Sequence, residues 1–255
     1  MGNWHLNTLI PWVIVFFSAP CTIAKELKVA ISEDAPPYVM DHAKSGLEIE
    51  IISQSLSGYS IAFAQMGWGE IQGAIDRGVA DAEANVHEAS KNLFYSKDYI
   101  AFINYAISKK KDNITINNVS DLAEHPIITW QGAHRDLGPE FQALFSPGSS
   151  NSHNYIELQS SQEQVEKFWQ EEGAIIVIDI SIFSYLSKQS GHSLEAVSLH
   201  NFKMPTTKFK MAFKKEEDRN TFDLGLSKLC SSGAYRELLR KYGVTPAADV
   251  CPPKK

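Results

Sequence analysis

Apolar positions along the chain fall into short runs that alternate between two periodicities. Leu27–Ile31 is an apolar run that predicts a strand, ended by the turn-like Ser32-Glu33-Asp34-Ala35-Pro36-Pro37. Leu47, Ile51 and Leu56 recur at roughly helical spacing over Gly46–Leu56, and Gly58 supplies the stop. Ser60–Gln65 alternates as a strand, Trp68 sits in a Gly-flanked turn, and Glu70–Arg77 predicts a short helix closed by Gly78. Ala80–Asn85 predicts the next strand. Strand and helix therefore alternate, the pattern of α/β layers rather than of an all-β or all-α chain.

A second unit begins after Tyr95–Phe102. It opens with a strand at Asn104–Lys109 and a short capped helix at Ser120-Asp121-Leu122. A strand at Ile127–Trp130 runs into Gly132-Ala133-His134-Arg135 and a helix over Asp136–Phe145. Pro147–Asn154 is a loop by composition, followed by a helix at Gln162–Gln170, an apolar strand at Ala174–Ile178 and a helix at Ile180–Lys188. Phe209–Phe213 predicts a strand leading back to the first unit, and helices near Glu216–Leu229 and Ala234–Lys241 close the pattern.

Composition narrows the function classes. With 255 residues, 44% apolar and 21% charged, the chain can bury a sizeable core. Its net charge of -6 supplies no basic face, so no nucleic-acid partner is expected. The first 24 residues hold no Asp, Glu, Lys or Arg, and Leu9–Phe17 is apolar before the small residues of Ser18–Ala24. This is the layout of a secretory signal peptide cleaved after Ala24, with export to the periplasm. The apolar stretch is too short to span a bilayer and is interrupted by Pro11 and Pro20. A lipid anchor on Cys21 is the alternative, and Pro20 before it fits that processing poorly. Removal of Cys21 leaves Cys230 and Cys251, which bracket the last predicted helix. In an oxidising compartment they are expected to pair, against the alternative of two free thiols.

Catalytic signatures are scarce. There is no Cys-x-x-Cys, no His-Glu-x-x-His and no phosphate-cradling Gly-rich loop, and the 8 histidines show no metal-ligand spacing. Gly58-Tyr59-Ser60-Ile61-Ala62 is a near miss for a nucleophile elbow, but a helix precedes Ser60 and a strand follows it, the reverse of what the elbow needs. No catalytic residue, metal or cofactor is expected.

Several local motifs, taken in order, resemble the bacterial extracellular solute-binding proteins of family 3, periplasmic receptors for amino acids and similar small polar solutes. They are Leu27-Lys28-Val29-Ala30 with Pro36-Pro37-Tyr38, Gly46-Leu47-Glu48-Ile49-Glu50-Ile51, and Trp68 with Gly78-Val79-Ala80-Asp81. Tyr95-Ser96-Lys97-Asp98-Tyr99, Gly173-Ala174 through Asp179, Gly233-Ala234-Tyr235 and Lys241-Tyr242-Gly243 continue the series, which spans about Glu26 to Val244. The resemblance implies a type II periplasmic binding-protein fold, two α/β lobes joined by two hinge strands around a central cleft. Lobe 1 would be 25–100 plus 210–255 and lobe 2 101–209, after a signal peptide at 1–24.

It also implies site residues. Tyr38 and Trp68 match aromatic pocket walls, able to give apolar contact or cation–π attraction. Asp179, at the C-terminal edge of a buried strand, would take a ligand amine and cap the following helix. Asn85 and His87 end a strand and should face the cleft, Trp130 should reach the pocket rim, and Arg135 stands at a helix start whose backbone amides could hold an anion. The family's Thr-x-x-Arg carboxylate clamp is missing from Asn85-Val86-His87-Glu88-Ala89-Ser90-Lys91-Asn92, where Lys91 is the sole cation. The expected function is capture of a small polar, amine-bearing or amino-acid-like ligand by a monomer serving an ABC-type membrane permease. The alternatives are a free-standing sensor for a membrane signalling partner and a dehydratase-like enzyme using Glu33 and Asp179.

Overall fold

The computed structural model describes residues 1–2, 24–200, 202, 204–246 and 250–251. The expected signal peptide and Cys21 lie outside the described residues, apart from Ala24. The chain first runs β1 (Lys25–Ser32), α1 (Leu47–Ser55), β2 (Tyr59–Met66), α2 (Trp68–Ile71), β3 (Ala82–Val86), β4 (Phe94–Tyr95) and β5 (Ile100–Phe102). It continues through β6 (Asn104–Lys109), β7 (Ile127–Trp130), α3 (Ala133–Asp136), α4 (Pro139–Phe145) and β8 (Tyr155–Leu158). Then come α5 (Ser161–Gln170), β9 (Ile175–Asp179), α6 (Ile180–Gln189) and β10 (Val197–His200). β11 (Thr207–Phe213), α7 (Glu216–Ser232) and α8 (Ala234–Tyr242) complete it.

These strands build two sheets. The first has the order β2-β1-β3-β11-β4, with β5 also paired to β11; β1 is parallel to β2 and β3, and β11 is antiparallel to β3, β4 and β5. The second has the order β10-β6-β9-β7-β8, with β7 parallel to β8 and β9 and β6 antiparallel to β9 and β10. Helices cover the faces, so central strands are apolar on both sides. In β9, Ile176 and Ile178 face one buried cluster while Ile175 and Val177 join Phe141 and Phe145 in another. In β1, Val29 and Ile31 face α1 residues such as Ile51 and Ile52, and Ala30 packs on the other side with Ile71 and Ile75.

Two helices differ from the sequence expectation. The helix expected over Glu70–Arg77 is limited to Trp68–Ile71. Gln72 is extended, and Glu83 Oε1 accepts the amides of Gly73 and Ile75 at 2.9 and 2.8 Å, replacing the bonds a further helical turn would make. The helix expected over Asp136–Phe145 is two, α3 and α4, separated at Gly138, whose φ of 95° only glycine adopts readily. Cys230 and Cys251 are joined in a disulfide with Cα atoms 5.3 Å apart, fastening the segment beyond α8 to α7. Among the described residues no helix is long and apolar enough to cross a membrane.

Candidate functional site

The two sheets meet at a seam that holds a cavity of about 40 Å³. From the first sheet and its connections its walls are Trp68, Phe102 of β5 and Phe209 of β11; beside the second sheet they are Trp130, Ile178 and Ile182. Trp68, Phe102 and Phe209 pack edge to face, with ring centroids 5.6–6.1 Å apart, so they form one continuous wall rather than an open cage. Asn104 and Thr207 lie where the chain passes between the sheets, and Asn104 Nδ2 donates to Thr207 Oγ1 at 2.9 Å. Ser161 and Gln164, one helical turn apart on α5, and Asp179 supply the remaining polar lining.

Asp179 is fixed by local chain geometry. It ends β9 and caps α6, its Oδ1 accepting the amides of Ser181 at 2.8 Å and Ile182 at 3.2 Å. The same oxygen accepts the Tyr38 hydroxyl at 3.2 Å, and Oδ2 accepts the Ile103 amide at 2.8 Å. Burial pushes its pKa up to about 6, against the pull of these hydrogen bonds toward the charged form. With three partners on Oδ1 and one on Oδ2, the carboxylate keeps a single acceptor position, on Oδ2.

Polar contacts cross the seam. Tyr38, buried and packed on Phe102 with centroids 4.6 Å apart, reaches Asp179. The Gly69 amide donates to Gln131 Oε1 at 3.0 Å. His87 Nε2 lies 3.1 Å from Asp136 Oδ1, while Asp136 Oδ2 accepts the Trp130 indole N–H at 3.0 Å. The His87 ring also leans on Phe209, centroids 4.8 Å apart, so one carboxylate ties a pocket-wall tryptophan to the opposite lobe. Gly67 lets the lobes approach closely: a Cβ there would stand 2.4 Å from Gln159 Nε2.

Of the residues singled out in the sequence, Trp68, Trp130 and Asp179 line the cavity, Tyr38 bonds to Asp179, and His87 is tied through Asp136 to Trp130. Asn85 does not face it. Its side chain lies inside the first lobe, where Nδ2 donates to both Glu48 oxygens at 2.8 and 3.0 Å and the Tyr99 hydroxyl sits 3.0 Å from Oδ1. That turn follows from the backbone, which at Asn85 has a φ of 54° and leaves the strand alternation. Arg135 and Lys91 are exposed and outside the lining, and Glu33 is exposed as well. Sequence reasoning did not single out Asp136, Gln131, Gln164, Phe102 or Phe209. Strand pairing brings the two phenylalanines together, Phe102 opposite Thr207 and Phe209 opposite Ile100.

No protein-family model and no curated protein matches the sequence. Solved structures do match. AbpA, an amino acid ABC transporter substrate-binding protein from Streptococcus pneumoniae bound to L-arginine, is 20% identical with a TM-score of 0.66, over 85% of this chain and 94% of that one. ArtJ, an arginine-, lysine-, histidine-binding protein from Geobacillus stearothermophilus, is 16% identical with a TM-score of 0.70, over 88% of this chain and 98% of that one. A histidine kinase sensor domain with similarity to periplasmic binding proteins is 15% identical with a TM-score of 0.70, over 86% of this chain and 97% of that one. The chain thus has the two-lobe α/β fold of these proteins.

Proposed function

We propose that this two-lobe chain is a periplasmic solute-binding protein that captures a small polar, amine-bearing or amino-acid-like solute and presents it to an ABC-type permease. The observation that carries the reading is the cavity at the seam, walled by both lobes and crossed by Tyr38–Asp179, Gly69–Gln131 and His87–Asp136. Such contacts exist only when the lobes are together, so a solute held between them shifts the protein toward closure. The lobe boundaries fall near Ile100 and Lys210, and the hinge is the antiparallel pair of β5 and the first residues of β11. The protein acts as a monomer, with Tyr38, Trp68, Trp130 and Asp179 holding the solute.

Mass spectrometry of solute carried through gentle purification identifies the ligand. Solution scattering at saturation is then expected to give a smaller radius of gyration than without it. Unchanged profiles at saturation, or a compound whose binding Asp179→Asn leaves intact, overturn the reading. A second role, as the soluble receptor of a membrane sensor, is favoured by the likeness to a histidine kinase sensor domain. Solute uptake that depends on this protein supports transport; a solute-dependent transcriptional response with unchanged uptake supports sensing.

A further inference from the structure

The charge and hydrogen-bonding pattern of the cavity is asymmetric. Among the described residues, Asp179 is the one ionisable residue in its lining, with no lysine or arginine beside it. His87 at the seam is engaged by Asp136. A carboxylate entering this space would meet no cation, and an unpaired buried charge is strongly disfavoured. The α5 face opposite is neutral but polar. Gln164 is 2% exposed, lines the cavity and makes no side-chain hydrogen bond among the described residues, and its amide is not among the buried groups left without a partner. An amide that keeps its hydrogen-bonding capacity at a cavity wall is available to a ligand group. An amide offers both a donor and an acceptor, so another amide or a hydroxyl satisfies both sides, where a carboxylate satisfies only the donor. Ser161, one turn earlier, adds a second neutral group on the same face.

We infer that the solute is a monocation, an amino amide or amino alcohol rather than a zwitterionic amino acid, with its ammonium on the free Oδ2 position of Asp179 and its neutral polar group read by Gln164. This deepens the solute-binding reading and rests on it. Trp68, Phe209 and Ile182 then cover the apolar body. At neutral pH the raised pKa of Asp179, about 6, leaves its carboxylate charged and short of compensation, which a bound ammonium restores. Gln164 is a specificity-determining residue: it distinguishes a neutral end from a charged one.

The test is isothermal titration and thermal shift with alanine, alaninamide and alaninol, and with leucine, leucinamide and leucinol. Within each series the amide or alcohol is expected to bind at least about tenfold more tightly than the amino acid. Gln164→Leu is expected to bring the series to within about threefold, with its circular dichroism spectrum unchanged. An amino acid that binds as tightly as its amide overturns the class and leaves the cleft as a binding site. A ratio that Gln164→Leu does not move overturns the role of Gln164. A wider panel of sugars, organic acids and peptides separates the remaining failures. If only that panel contains a binder, and Asp179→Asn weakens it, the class is wrong and the site stands. If nothing binds anywhere, the solute-binding reading fails with it.

Discussion

Glu48 offers a quantitative test of the first lobe, which carries Tyr38 and Trp68 to the seam. It is fully buried at the start of α1, bonded to Asn85 and to the Tyr99 hydroxyl, and burial raises its pKa from 4.5 to about 7 in spite of these bonds. Each pH unit between those values corresponds to about 1.4 kcal/mol, so holding Glu48 ionised above neutrality costs about 3 kcal/mol relative to the unfolded chain. The sign follows from proton binding. Between 4.5 and about 7 the folded protein keeps a proton that the unfolded chain releases, so this contribution to stability falls as pH rises and levels off above the folded value. Asp179, raised to about 6, adds to the slope in the same direction. Glu48→Gln keeps the size and an acceptor for Tyr99 but sets its own N–H against Asn85 Nδ2, a loss of about 1 kcal/mol. The variant is therefore expected to be less stable than the parent at pH 4.5 and more stable, by about 2 kcal/mol, at pH 8. Urea unfolding followed by circular dichroism at several pH values measures both curves. Parallel curves, with no crossing, would show that Glu48 is not held protonated by the fold.

Further outcomes are expected at the seam and the C-terminus. Asp136→Ala releases both the Trp130 indole and His87, and is expected to weaken solute binding roughly tenfold and to enlarge the ligand-saturated radius of gyration; calorimetry and scattering read both, and unchanged values refute the tie. Gly67→Ala forces Gln159 aside and is expected to favour the open form, with Gln159→Ala restoring closure in the double variant; scattering of the three proteins decides it. Replacing Cys230 and Cys251 by serine removes a bridge across a sequence separation of 21, and is expected to lower stability by about 3 kcal/mol in urea unfolding of the oxidised parent against the variant.

How much of this was legible beforehand depended on how local each signal was. Ile175-Ile176-Val177-Ile178 is a run of β-branched residues that could hardly be anything but a buried strand, and the same run places Asp179 at its edge. β6 and β7 were equally plain. The second sheet's outer strands, Tyr155–Leu158 and Val197–His200, carry short mixed patterns and owe their form to pairing with β7 and β6. Contacts between distant positions had no local signature at all. His87 and Asp136 are 49 residues apart, and only the meeting of the lobes makes them partners. Asn85 misled for the opposite reason: its strand was evident, but a left-handed backbone at that one residue turns the side chain inward to Glu48.

The strand β11 has a consequence for the order in which the protein is made. It sits between β3 and β4 in the interior of the first sheet, yet it follows the entire second sheet in the chain. A chain emerging from its N-terminus thus has every strand of the second lobe, β6 to β10, before the first lobe can close its own sheet. Until β11 arrives, β3 presents a bare edge and β4 has nothing to pair with, the condition in which strands recruit neighbouring molecules. The inserted lobe can mature on its own while the lobe begun first waits for its last pieces. A chain cut short after His200 would carry a complete second sheet beside a first one reduced to β2-β1-β3, its β3 edge uncovered.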